Sequence, residues 1–199
     1  MKKNKSNRKV VVFVSLVGTL TLTSALLLAL APAPLTPDTS TSLFAVDAPS
    51  SLDAIFDTNT PAVGRWKYIY IHHSRTPAGN ARTIADEGVV DHFVIGNGDG
   101  CVDGELQMTQ TWKRQESIDR PPTGVSRMDP TCISVCIVGD FDHSRPTPTQ
   151  ERRLAQLVGT LQSKLHIPAN RVLTVDQPGS MAGIGHSFPT EQFRNLILP

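Results

Sequence analysis

Hydrophobic positions fall into three unlike patterns along this chain. The first is an unbroken apolar run from Val10 to Ala31, preceded by Lys2, Lys3, Lys5, Arg8 and Lys9. At ~1.5 Å per residue it reaches roughly 33 Å, enough to cross a bilayer and longer than an ordinary signal-peptide core. Ala29-Leu30-Ala31 and Ala31-Pro32-Ala33 have the small-residue form of cleavage sites, but each is followed by proline. A retained anchor is therefore expected over residues 1–31, with a cleaved leader as the alternative. Basic residues before the run leave the N-terminus in the cytoplasm and export the remainder.

The second pattern, residues 32–62, is rich in Pro, Ser, Thr and Asp, with only short apolar patches such as Leu43-Phe44-Ala45-Val46 and Ile55-Phe56. So punctuated a stretch predicts a tether. The third pattern starts near residue 63. Tyr68 to His72 predicts a strand, Ala81 to Asp86 a helical turn, and Asp91 to Gly96 a second strand closed by the Gly96-Asn97-Gly98-Asp99-Gly100 turn. A short strand follows near Glu105 to Gln110. The continuous apolar run Ile133 to Gly139 predicts a central strand buried on both faces.

Thr147-Pro148-Thr149-Gln150 then forms a capping box with proline at the first helical position. Leu154, Leu157, Val158, Leu161 and Leu165 recur on one stripe, so this helix covers a sheet. Val172 to Val175 predicts a last strand, and Gln177 to Pro189 a loop. Strands interleaved with helices predict an α/β domain over residues 63–199, a mixed central β-sheet flanked by helices.

Composition adds few constraints. With 199 residues and 39% hydrophobic content the chain can build one core. Nineteen Lys and Arg against 18 Asp and Glu give a net charge of +1, so no nucleic-acid surface is expected. The three cysteines, Cys101, Cys132 and Cys136, cannot all pair. Cys132 and Cys136 lie too far apart along one strand to bond, so any disulfide involves Cys101; three small buried residues is the alternative.

Chemistry concentrates where the first strand of the domain ends in His72, His73 and Ser74. IHHS, DHFVIGNGDG, TWKRQ, ISVCIVGDF followed by PTPTQ, and GHSFP occur in this order. Across Trp66 to Pro189 the chain thereby resembles the type-2 N-acetylmuramoyl-L-alanine amidases, which include the peptidoglycan recognition proteins. The resemblance implies that fold, peptidoglycan fragments as ligand, and one zinc ion whose water attacks the amide. It also implies three ligands: the strand-end histidine, a histidine after the long helix, and a late cysteine or aspartate.

Only the first is kept, as His72. Val175 occupies the second position and Gly183 the third, and the tyrosine usual before HF is Asp91. One histidine cannot hold zinc, so no cofactor is expected unless the site is rebuilt, for which His186 and Asp176 are the candidates. His73 points away from His72 and reads as a hydrogen-bonded core group. His92 reads as packed, His143 as solvated, and His166 as suiting a helix C-terminus. Asp91 and Trp112 are candidate groove residues, although Trp112 can equally cover the sheet. The expected function is a membrane-tethered, non-catalytic domain that binds peptidoglycan or a protein partner. An active amidase with a relocated metal and an exported interaction domain are the alternatives.

Overall fold

The structure is a computed structural model that describes residues 12–19, 21, 41–43 (backbone only), 52, 56, 61–62, 64–88, 90–118, 128–174 and 184–197. The chain divides into two units, Met1–Asp38 and Thr39–Pro199. In the first, residues 12–19 are helical, and Val12, Phe13, Val14 and Leu16 are exposed. Ser15 and Thr19 donate their hydroxyls to the carbonyls of Val12 and Ser15, each at 3.0 Å, which removes polar hydrogens from an apolar surface. Among the described residues no helix is long and apolar enough to cross a membrane.

Among its described residues the second unit is built on six strands: β1 (Thr41–Leu43), β2 (Tyr68–His73), β3 (Phe93–Ile95), β4 (Leu106–Met108), β5 (Cys132–Ile137) and β6 (Val172–Leu173). Their order across the sheet is β1-β4-β3-β5-β2-β6. β4 runs antiparallel to β1 and β3, whereas β5 is parallel to β3 and β2, and β2 is parallel to β6. The sheet is therefore mixed, as expected. β5 lies at its centre with every residue buried, which explains the absence of polar alternation in CISVCI.

Helices among the described residues of this unit include α1 (Ala81–Asp86), α2 (Gln110–Lys113), α3 (Pro148–Leu165) and α4 (Thr190–Arg194). α1 starts at Asn80, whose side chain accepts from the amides of Arg82 and Thr83 in a reciprocal capping box. α3 starts at Thr147 in the same way, and its Gln150 amide also donates to the Val138 carbonyl at 2.8 Å, tying the helix start to the end of β5. Leu154, Leu157, Val158 and Leu161 of α3 pack on one sheet face with Ile69, Ile71, Ile133, Val135 and Ile137. A smaller cluster of Ala81, Ile84, Val94, Cys136 and Val138 sets α1 on the other.

Two differences from the sequence expectation concern residues 32–62. β1 pairs with β4, and Leu52 and Phe56 are buried in the main core. Thr41–Leu43, Leu52 and Phe56 thus belong to the domain, and β1 gains its ladder from the edge that β4 would otherwise leave open.

Candidate functional site

The pairing of β2 with β5 places His72 beside Cys136 and Tyr70 beside Ser134. Alternate strand residues share a face, so these four side chains lie on the α1 side of the sheet. Asp91 arrives from the residues leading into β3. The His92 amide donates to the Ser134 carbonyl at 3.1 Å, which fixes Asp91 against β5.

His72 Nε2 lies 2.8 Å from Asp91 Oδ1, and the Ser134 hydroxyl donates to that same oxygen. His72 Nδ1 lies 3.1 Å from its neighbour's carbonyl, His73 O. One ligand atom each from His72, Asp91 and Cys136 fall within 4.8 Å of one another, the one such group among the described residues. His72 is 4% exposed, Asp91 2% and Cys136 0%, so the cluster is closed to bulk water. Burial above all, then the charges of Asp91 and Glu87, pushes the Cys136 thiol well up from its ordinary range.

The hydrogen bonds carry a chemical consequence. A carbonyl oxygen only accepts, so Nδ1 of His72 must donate to it. In the neutral ring Nε2 is then a bare acceptor, facing a carboxylate oxygen that also only accepts. The 2.8 Å contact requires a proton between the two, on the ring or on the carboxyl, or a metal cation in its place. Asp91 Oδ2 has no hydrogen-bond partner although it is buried, a state that a cation would relieve.

The remaining predicted residues are distributed differently. Trp112, a candidate groove residue, is fully buried between Phe56, Trp66, His92 and Phe93. It is a core residue and cannot stack on a ligand. Asp91 likewise lines no open groove, because His72 and Ser134 hold it inside. His186 is exposed and sits 3.1 Å from Asp142 Oδ1, outside the His72 group. Asp176, Val175 and Gly183 lie outside the described residues. His73 faces the other way: its Nδ1 accepts from the Phe141 amide at 2.9 Å and its ring stacks on Phe141. His143 is exposed beside Asp140, and His166 caps α3 in a left-handed conformation. All three cysteines are free.

Cys136 is the residue that sequence reasoning missed. Within β5 it reads as one more small apolar residue, and only the register against His72 gives it a chemical neighbour.

His92 has a structural role with a measurable signature. Its Nδ1 accepts from the Ser134 amide and its Nε2 donates to the Glu116 carbonyl, both at 2.9 Å. Burial drives the ring from 6.5 down to about 4, against the opposing pull of the Glu116 carbonyl and Asp91. The folded chain holds His92 neutral while the unfolded chain takes up a proton below pH 6.5. Stability is therefore full above that pH and declines as pH falls toward 4, by about 3 kcal/mol at most from this group. Urea midpoints measured from pH 7 to pH 4 should fall steadily, and a flat profile below pH 6.5 would contradict the assignment.

The profile of the family described as N-acetylmuramoyl-L-alanine amidase matches residues 62–193. Among curated proteins none matches. One similar solved structure is a complex of the N-acetylmuramyl-L-alanine amidase AmiD from E. coli with its substrate. It is 18% identical, covers 69% of this chain and 59% of its own, and has a TM-score of 0.49. The chain thus spans under two thirds of AmiD. PGRP-Hd from Alvinella pompejana is 16% identical, with 68% of this chain and 86% of its own covered and a TM-score of 0.41. PGRP-SA from Apis mellifera is 16% identical, with 65% and 82% covered and a TM-score of 0.42.

Proposed function

The chain belongs to the N-acetylmuramoyl-L-alanine amidase family, and from that premise we propose that it is an exported, membrane-tethered domain that binds peptidoglycan without cleaving it by the family's zinc mechanism. The carrying observation is the state of His72. The ring that the family resemblance makes a zinc ligand meets acceptors at both nitrogens, and one of them, Asp91, stands where a tyrosine is usual. Val175 and Gly183, at the other two ligand positions, bring no donor side chain.

Zinc, when bound, polarises an amide carbonyl and activates water. The donors this chain offers, His72, Asp91 and Cys136, suit the ion as a nitrogen, oxygen and sulfur set. All three side chains are buried, and they are assigned no hydrolytic step. Binding is assigned instead to an open cleft of ≈ 370 Å³ lined by Asn97, Gly139, Asp140, His143, Arg145 and Thr147. Its size is that of a small-ligand site, and the Arg145 guanidinium is suited to a stem-peptide carboxylate. The basic N-terminus and apolar run of residues 10–31 support the tether.

The test uses the full chain in detergent with insoluble peptidoglycan. The protein is expected to pellet with the polymer, Arg145→Ala to pellet several-fold less, and no stem peptide to appear in the supernatant. Release of stem peptide would overturn the non-catalytic assignment and favour an active amidase. A protein that stays soluble beside peptidoglycan would leave an exported interaction domain.

A further inference from the structure

We infer that His72, Asp91 and Cys136 form a closed binding site for one borderline transition-metal ion, zinc by preference, built from a ligand set that shares only His72 with the family's own. The inference is independent of peptidoglycan binding and holds whether or not the cleft takes that polymer.

Three observations converge on it. The donor atoms of the three side chains already lie within 4.8 Å of one another. Around a tetrahedral zinc, with bonds of ~2.0–2.3 Å, donors stand roughly 3.3–3.8 Å apart, so the widest pair closes by about 1 Å while the His72–Asp91 pair opens from its 2.8 Å. Next, with Nδ1 donating to the His73 carbonyl, His72 Nε2 and Asp91 Oδ1 face each other at 2.8 Å as two acceptors that a proton or a metal ion must join. A proton would meet that need alone, but it would leave the Asp91 Oδ2 lone pairs and the Cys136 thiol without a function. Asp91 Oδ2 is buried and unpartnered, as an oxygen awaiting a ligand would be.

The supporting contacts are in place as well. The His73 carbonyl holds Nδ1–H of His72, which presents Nε2 as a lone pair, and the Ser134 hydroxyl orients the Asp91 carboxylate. Charge also balances. A divalent ion displaces the thiol proton of Cys136, and any second proton on His72, to solvent. The resulting ion, thiolate, carboxylate and neutral imidazole sum to zero, which a buried site tolerates far better than a net charge. The ion would join the ends of β2 and β5 to the entry of β3, so its role is to fix the sheet rather than to meet substrate.

Cobalt(II) is the probe, added to the reduced, chelator-stripped full chain in detergent. We expect one equivalent to bind with a near-ultraviolet thiolate-to-cobalt band that zinc abolishes by displacement. Cys136→Ser should lose the band, while Cys101→Ser and Cys132→Ser keep it. Ser134→Ala, which touches only the hydroxyl on Asp91, should weaken cobalt about 10–100-fold. If Cys136→Ser fails to fold, Asp91→Asn decides, with at least a tenfold weakening expected. Absence of binding by the unmodified chain, a band that survives Cys136→Ser, or unchanged affinity in Asp91→Asn would each overturn the inference. Peptidoglycan pelleting on the same samples reports separately on the proposed function.

Discussion

Trp112→Ala should lower the stability of the domain by about 3–5 kcal/mol, the range for truncating a fully buried aromatic ring. The indole has no exposed surface and meets Phe93 at a centroid distance of 4.7 Å, Trp66 at 6.0 Å and Phe56 at 6.2 Å. Two effects add. Apolar contact area is lost, and the Phe56, Trp66, His92 and Phe93 rings around the indole cannot fully close over the void. Trp66 would also lose part of the packing that positions its own Nε1–H, which donates to Gln115 Oε1 at 2.6 Å. Urea denaturation of the variant against the parent measures the loss. A change below 1 kcal/mol, or weakened peptidoglycan pelleting by a variant of undiminished stability, would return Trp112 to the ligand-binding role that the sequence left open.

How far the sequence could be read is clearest from what each prediction rested on. α1 and α3 were legible because their signals are local: Asn80 with Thr83 and Thr147 with Gln150 announce the starts, and a leucine stripe gives α3 its face. β2 and β5 were legible from composition. β1 was not, since three residues in a polar stretch acquire strand geometry only from the β4 edge beside them. α2 and α4 are too short to carry a period.

The same division applies to the site. His72 could be found from its place at a strand end, and the resemblance named its role. Asp91 was named there too, as a groove residue, but its contact with His72, and Cys136 altogether, depend on β3–β5 and β2–β5 pairings that single-strand patterns do not encode. Trp112 is the converse error. An aromatic residue near a motif suggests a ligand platform, and only the position of Phe56 and Trp66 over it shows that it is core.

Asp91→Ala, examined with a chelator present so that no metal contributes, is expected to cost about 2–5 kcal/mol, because it strips the shared acceptor from two buried polar groups at roughly 1–3 kcal/mol each. The carboxylate is the acceptor for both His72 Nε2 and the Ser134 hydroxyl, and its side chain has no exposed surface. Alanine leaves both groups facing a dry cavity with nothing to accept from them, and water cannot readily enter. Asp91→Asn keeps the volume and one oxygen, so it should cost less. A double-mutant cycle with His72→Ala isolates the pair: His72→Ala removes the ring that faces Asp91 Oδ1, and a substantial part of the Asp91→Ala loss should then vanish. Strictly additive losses would mean that the 2.8 Å contact carries no coupling, and the arrangement at the end of β2 would then be a matter of packing alone.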